Sequence, residues 1–102
     1  MKLVLVTAPD EATAKKLAKK AVVSKFCACV NIVPGLRSIY WWEGEIEESS
    51  EHLLILKTDE KNVFRLEELI LEEHPYSTPE FVVLDSSFVT AKYNKWIGEN
   101  LL

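Results

Sequence analysis

The chain has 102 residues, is 48% hydrophobic and 27% charged, and carries a net charge of −4; one domain spanning 1–102 can bury roughly two thirds of its unfolded surface. Arg37 and Arg65 are its only arginines and no basic run occurs, which argues against a nucleic-acid partner, since phosphate recognition needs clustered cations. The N-terminal apolar run Leu3-Val4-Leu5-Val6 is too short for a signal-peptide core or a membrane span, so a cytoplasmic chain with no membrane partner is expected.

Taken in chain order, residues 3–7 read as a first strand, broken by Ala8-Pro9-Asp10. Asp10 is suited to cap a helix running to about Lys25. In that helix Ala14, Leu17, Ala18, Ala21 and Val22 fall on one face, with Lys15, Lys16, Lys19 and Lys20 on the other. A long aromatic hairpin follows, with arms at 27–40 and 46–58 joined by Trp41-Trp42-Glu43-Gly44-Glu45. Pro34-Gly35 interrupts the first arm, so a bulge or bend is expected there. Leu53-Leu54-Ile55-Leu56 is the continuous apolar run of a strand covered on both faces.

Thr58 or Asp59 is placed to cap a second helix reaching His74, which Pro75 ends. Val63, Leu66, Leu69 and Ile70 form its apolar stripe. Tyr76-Ser77-Thr78-Pro79 reads as a turn, and residues 80–85 as a last strand. Tyr93, Trp96, Ile97 and Leu101 then recur at the spacing of a C-terminal helix. The order β-α-β-β-α-β plus a terminal helix predicts an α+β, ferredoxin-like sandwich with both internal helices on one face of the sheet. The other face is left open and needs a cover.

Hairpin length points to self-association. Arms of this size reach roughly 43–46 Å at ~3.3 Å per residue, whereas a compact chain of this length is about 33 Å across. The hairpin must bend or overhang, leaving Tyr40, Trp41, Trp42 and sheet edges in water unless another copy covers them.

Several side chains are candidates for chemistry, each with a plainer alternative. Cys27 and Cys29, two apart on an expected strand, present two thiols on one face, about 7 Å apart at Cα and poorly placed for a mutual disulfide. Such thiols suit a soft metal, or else they are small buried hydrophobes. His74 closes a helix, as a metal ligand or as a cation on the helix dipole. Glu43, Glu45, Glu47, Glu48 and Glu51 could recruit a hard cation, or form a solvated edge that blocks aggregation. Lys57 ends the apolar run before the second helix and suits an anion site, an inter-subunit ion pair or simple exposure. No nucleophile-base pair, phosphate loop or zinc-protease motif occurs, and only three glycines are present, so no enzyme activity is expected.

Thr7-Ala8-Pro9-Asp10-Glu11, Ala28-Cys29-Val30-Asn31-Ile32-Val33-Pro34-Gly35, Ser38-Ile39-Tyr40-Trp41-Trp42-Glu43-Gly44, Ile55-Leu56-Lys57-Thr58, His74-Pro75-Tyr76-Ser77-Thr78-Pro79-Glu80 and Tyr93-Asn94-Lys95-Trp96 together resemble the CutA divalent-cation-tolerance proteins, across essentially the whole chain. The resemblance implies a homotrimer assembled through sheet edges, similar in architecture to the PII signalling proteins. It also implies a non-catalytic, cytoplasmic role in tolerance of copper and other divalent metals. Cys29 and His74 match family positions and become the expected metal ligands, with Cys27 as alternate. Val6 and Glu73 stand where some members carry a cysteine and a second histidine, which removes half of a four-ligand soft site. The competing expectation is a PII-like module that takes a small anion or partner protein between subunits, with Lys57, Trp42, Tyr76 and His74 lining the cleft.

Overall fold

The structure, a computed structural model, describes all residues 1–102. Its elements are β1 (Lys2–Ala8), α1 (Glu11–Val23), β2 (Cys29–Trp42), β3 (Glu45–Thr58), α2 (Val63–Glu73), β4 (Val82–Asp85) and α3 (Ala91–Glu99). They form an α+β fold with one four-stranded sheet in the order β2-β3-β1-β4, every adjacent pair antiparallel.

Strand alternation decides which residues meet the helices. Val4, Val6 and Ala8 of β1 and Leu54 and Leu56 of β3 point to one face. There they are sealed by Ala14, Leu17, Ala18 and Ala21 of α1 and by Leu66 and Ile70 of α2, all buried in one cluster. The helix stripes are those read from the sequence, except that Val22 is exposed. Deleting one of these leucine side chains to alanine carries the ordinary core cost of about 2–5 kcal/mol.

Element ends depart from expectation, each for a local reason. Asp10 caps α1, its carboxylate accepting from the Thr13 N–H at 2.7 Å. The helix stops at Val23 rather than near Lys25 because Lys25 turns left-handed (φ 62°). The Lys25 N–H then donates to the Val22 carbonyl and the Phe26 N–H to that of Ala21, the paired bonds of a Schellman end. α2 begins at Val63 instead of directly after Asp59. The Asp59 carboxylate is taken up by the backbone and side-chain N–H groups of Asn62, at 3.1 and 2.8 Å. That makes a turn before the helix starts. β4 is limited to four residues on the sheet's edge, and all four are exposed.

The hairpin has two arms of 14 residues, and its connection is two residues long, not five. Trp41 pairs with Ile46 and Trp42 with Glu45, so both tryptophans belong to the ladder. Glu43 and Gly44 both have positive φ, 50° and 82°, the backbone of a type I′ turn. Pairing slips between Val33 and Leu36, placing a bulge at Pro34-Gly35 as expected. β1 pairs with β3 only from His52 to Thr58. Residues 45–51 therefore run on with β2 alone, as a two-stranded ribbon projecting from the sheet. The molecule measures 45 × 26 × 21 Å, and its long axis carries the overhang. No helix is long and apolar enough to cross a membrane.

Candidate functional site

The sheet face away from α1 and α2 carries the odd-numbered residues of β1 and β3 and, beyond the bulge, the even-numbered residues of β2. Where the ribbon leaves the sheet, this face forms an open groove of about 840 Å³. Glu47, Ser49 and Glu51 of β3 and Tyr40 and Trp42 of β2 line its length, and Tyr76, Ser77, Thr78 and Glu80 wall one side.

His74 holds that wall in place. Its Nε2 lies 2.7 Å from the carbonyl oxygen of Thr7, and the Tyr76 N–H donates to its Nδ1 at 3.1 Å. A carbonyl partner requires a proton on Nε2, and an N–H partner requires a lone pair on Nδ1. The ring is therefore the neutral Nε2–H tautomer with both nitrogens engaged. Its 7% exposure and a 4.7 Å ring contact with Tyr76 complete the picture. Beyond it the Tyr76 hydroxyl donates to Glu51 Oε2 at 2.9 Å. A continuous path thus runs from β1 through His74 and Tyr76 to β3.

Glu51 belongs by sequence to the solvated acidic edge; in the fold it is only 6% exposed. The turn that folds Tyr76 back over the sheet covers it. Burial, then the hydrogen bond and charge of Glu51, push the Tyr76 phenol up to about 12, so it remains a donor. Burial and then Glu51 also raise the carboxyl of Glu80 on the same wall.

Cys27 and Cys29 do not share a face. β2 starts at Cys29, so Cys27 precedes the strand and turns into the core with no exposure. Burial pushes its thiol up to about 12. Cys29 is half-buried on the opposite, open face, directly across from Lys57 in the ladder. Lys57 is not a free anion donor: its Nζ donates to the Tyr93 hydroxyl at 3.0 Å and lies 5.4 Å from the centre of that ring. Through this contact α3 meets one end of the face read as wholly open.

The expected set of Cys29, His74 and Cys27 is therefore not assembled within one chain. Cys29 lies across from Lys57, and Lys57 from Leu3, whereas His74 binds Thr7. Four residues of β1 separate these levels, about 13 Å. Nowhere in the chain do three or more His, Cys, Asp or Glu side chains converge as metal ligands would. Of Lys57, Trp42, Tyr76 and His74, expected to line a cleft between subunits, Trp42 and Tyr76 line this groove within one chain, beside carboxylates, and Lys57 and His74 do not. Glu51, read from sequence as solvated, owes its burial to the loop after α2, and Glu80, which sequence reasoning missed, is carried into the groove by that loop. No local pattern encodes that placement.

The family described as CutA1 divalent ion tolerance protein matches residues 2–100. The chain is similar to the divalent-cation tolerance protein CutA of Escherichia coli O139:H28, with 42% identity over 99 residues, 97% of this chain and 88% of that protein. Among solved structures, the divalent cation tolerance protein Cut A1 of Thermus thermophilus superposes with a TM-score of 0.95 at 43% identity, over 99% of both chains. CutA1 of Oryza sativa gives a TM-score of 0.96 at 39% identity, over 99% of this chain and 93% of that one.

Proposed function

The chain belongs to the CutA1 divalent ion tolerance family, and on that basis we propose that it acts in divalent-cation tolerance as a non-catalytic cytoplasmic homotrimer. The observation that carries this reading is the family match across nearly the whole chain. The strand order, with α1 and α2 sealing one face, supports the ferredoxin-like description. Two features support assembly through sheet edges. The ribbon beyond His52 pairs with no third strand, and Trp41, Ile46 and the β4 residues Val82 to Leu84 are exposed on it or on the free edge. Light scattering on the purified protein is expected to give three times the 11.7 kDa chain mass; a monomer at micromolar concentration overturns the assembly.

We assign the metal contact to Cys29. Of the three expected ligands it alone is both accessible and unpaired, since Cys27 is sealed in the core and His74 has no free nitrogen. One chain thus offers a single soft donor on the open face, where a copper or other thiophilic ion finds its preferred thiolate. Further donors come from other copies. Anaerobic titration of the reduced protein with Cu(I) and Zn is expected to show binding that Cys29→Ala abolishes and His74→Gln leaves in place. Undiminished affinity in Cys29→Ala removes Cys29 from the account.

A further inference from the structure

Cys29 opens β2, an edge strand of the sheet, yet it is half-buried. Asn31 and Val33, further along the same face of that strand, are exposed. A face whose exposure falls toward one end has a cover at that end, and the chain supplies it in α3. Tyr93, in the first turn of α3, accepts from the Nζ of Lys57, the residue paired with Cys29. Just past the last turn, the Leu102 N–H donates at 2.9 Å to the carbonyl of Lys25, in the turn that leads to Cys27. The helix and its tail thus reach from the ladder partner of Cys29 to the turn that precedes it.

This cover is attached lightly and at its ends. Ile97 is the only buried residue of α3, and it lies outside the cluster that seals α1 and α2 on the sheet. Leu102 is held twice, because the fully buried amide of Asn62 also donates to its carbonyl at 3.1 Å. The approach to the helix has a fixed point and then a free stretch. Both the N–H and the hydroxyl of Ser86 donate to the Met1 carbonyl. After it Phe88 is 82% exposed, and the Thr90 side chain makes no capping hydrogen bond. A segment with so little buried surface opens at a lower free energy than the core. Its opening breaks no rung of the sheet.

We propose that α3 is a hinged lid over Cys29, pivoting after Ser86 and latched by Tyr93 on Lys57 and by Leu102 on Lys25 and Asn62. The lid sets how fast a solute reaches the thiol. It rests on the metal reading of Cys29 only for the solute admitted, a thiophilic ion, and its movement is measured without metal. The test is the DTNB reaction of the full-length, metal-free protein at pH 8, with peptide mapping to assign each labelled thiol. Cys29 is expected to react more slowly in the native parent than in the urea-unfolded chain. Its rate should rise at least about tenfold in Ile97→Ala and about two- to tenfold in Tyr93→Phe. Cys27, sealed in the core, serves as the internal control for global unfolding and should stay unlabelled in both variants. An equal Cys29 rate in the parent and both variants overturns the lid. So does labelling of Cys27 in step with Cys29 in both variants, which assigns the exposure to global unfolding. A Cys29 rate that falls as protein concentration rises also overturns it, since the cover is then a second copy. Loss of metal binding at Cys29 in the titration above would leave the lid result unchanged, so the two readings fail separately.

Discussion

Cys27 and Cys29 stand two positions apart and share almost nothing in environment. Cys27 has a folded-state pKa of about 12 against an ordinary 9.0, chiefly from burial. Well below pH 9 the thiol is protonated in both folded and unfolded chains and adds no pH dependence. Between pH 9 and about 12 the unfolded chain gives up a proton that the fold retains, so stability falls as pH rises, by at most about 1.4 kcal/mol per pH unit. Tyr76 adds the same sign between its ordinary 10.0 and about 12. Urea midpoints measured at pH 8 and pH 10.5 are expected to drop in the parent and to drop less in Cys27→Ala. In the native protein at pH 8, a thiol reagent such as DTNB should leave Cys27 untouched until urea is added. Burial of Cys27 was one of the two readings open from Cys27-Ala28-Cys29, but the different faces of the pair were not legible, because alternation applies only within a strand and this strand begins at Cys29. His74 closes α2 as its position before Pro75 suggests, but the partner of its ring, Thr7, lies 67 residues away and no local pattern points to it.

At the level of elements, the sequence was most readable where a residue type forces a conformation. Pro34-Gly35 marked the bulge, Asp10 the start of α1, and the 3.6-residue stripes the buried faces of α1 and α2. It was least readable where a residue other than glycine takes a left-handed backbone. Lys25 takes a left-handed backbone at the end of α1 and Glu43 takes one at the hairpin tip, and neither residue type announces it. The tip invites a specific change. A type I′ turn favours Asn-Gly, and position 43 holds glutamate in a conformation that asparagine adopts more readily. Glu43→Asn is expected to raise stability by about 0.5–1 kcal/mol, read as a higher urea midpoint with unchanged slope. A lower midpoint would show that Glu43 makes a compensating contact in the assembled protein.

Across the whole molecule, the architecture followed from element order and the unfinished sheet face followed from the apolar pattern. The content of the groove did not. It depends on the loop after α2 crossing to the far face, and only the folded chain brings Tyr76, Glu51 and Thr7 within a few ångströms. The same long-range geometry gives the hairpin two halves with different fates. From His52 to Thr58, β3 is flanked by strands on both sides; from residue 45 to 51 it has β2 alone. Amide hydrogen exchange should register that boundary as a step. Backbone amides of the sheet half need the chain to unfold globally before they exchange, while those of the ribbon half need only local fraying. In a dilute, dissociated sample the ribbon is expected to lose its protons first; in the assembled state a neighbour's cover should bring it toward the sheet's rate. Uniform exchange along β3 at every concentration would show that no neighbour covers the ribbon. On the proposed assembly, the overhang serves as the protein's own gauge of association, with the clock built into seven residues of one strand.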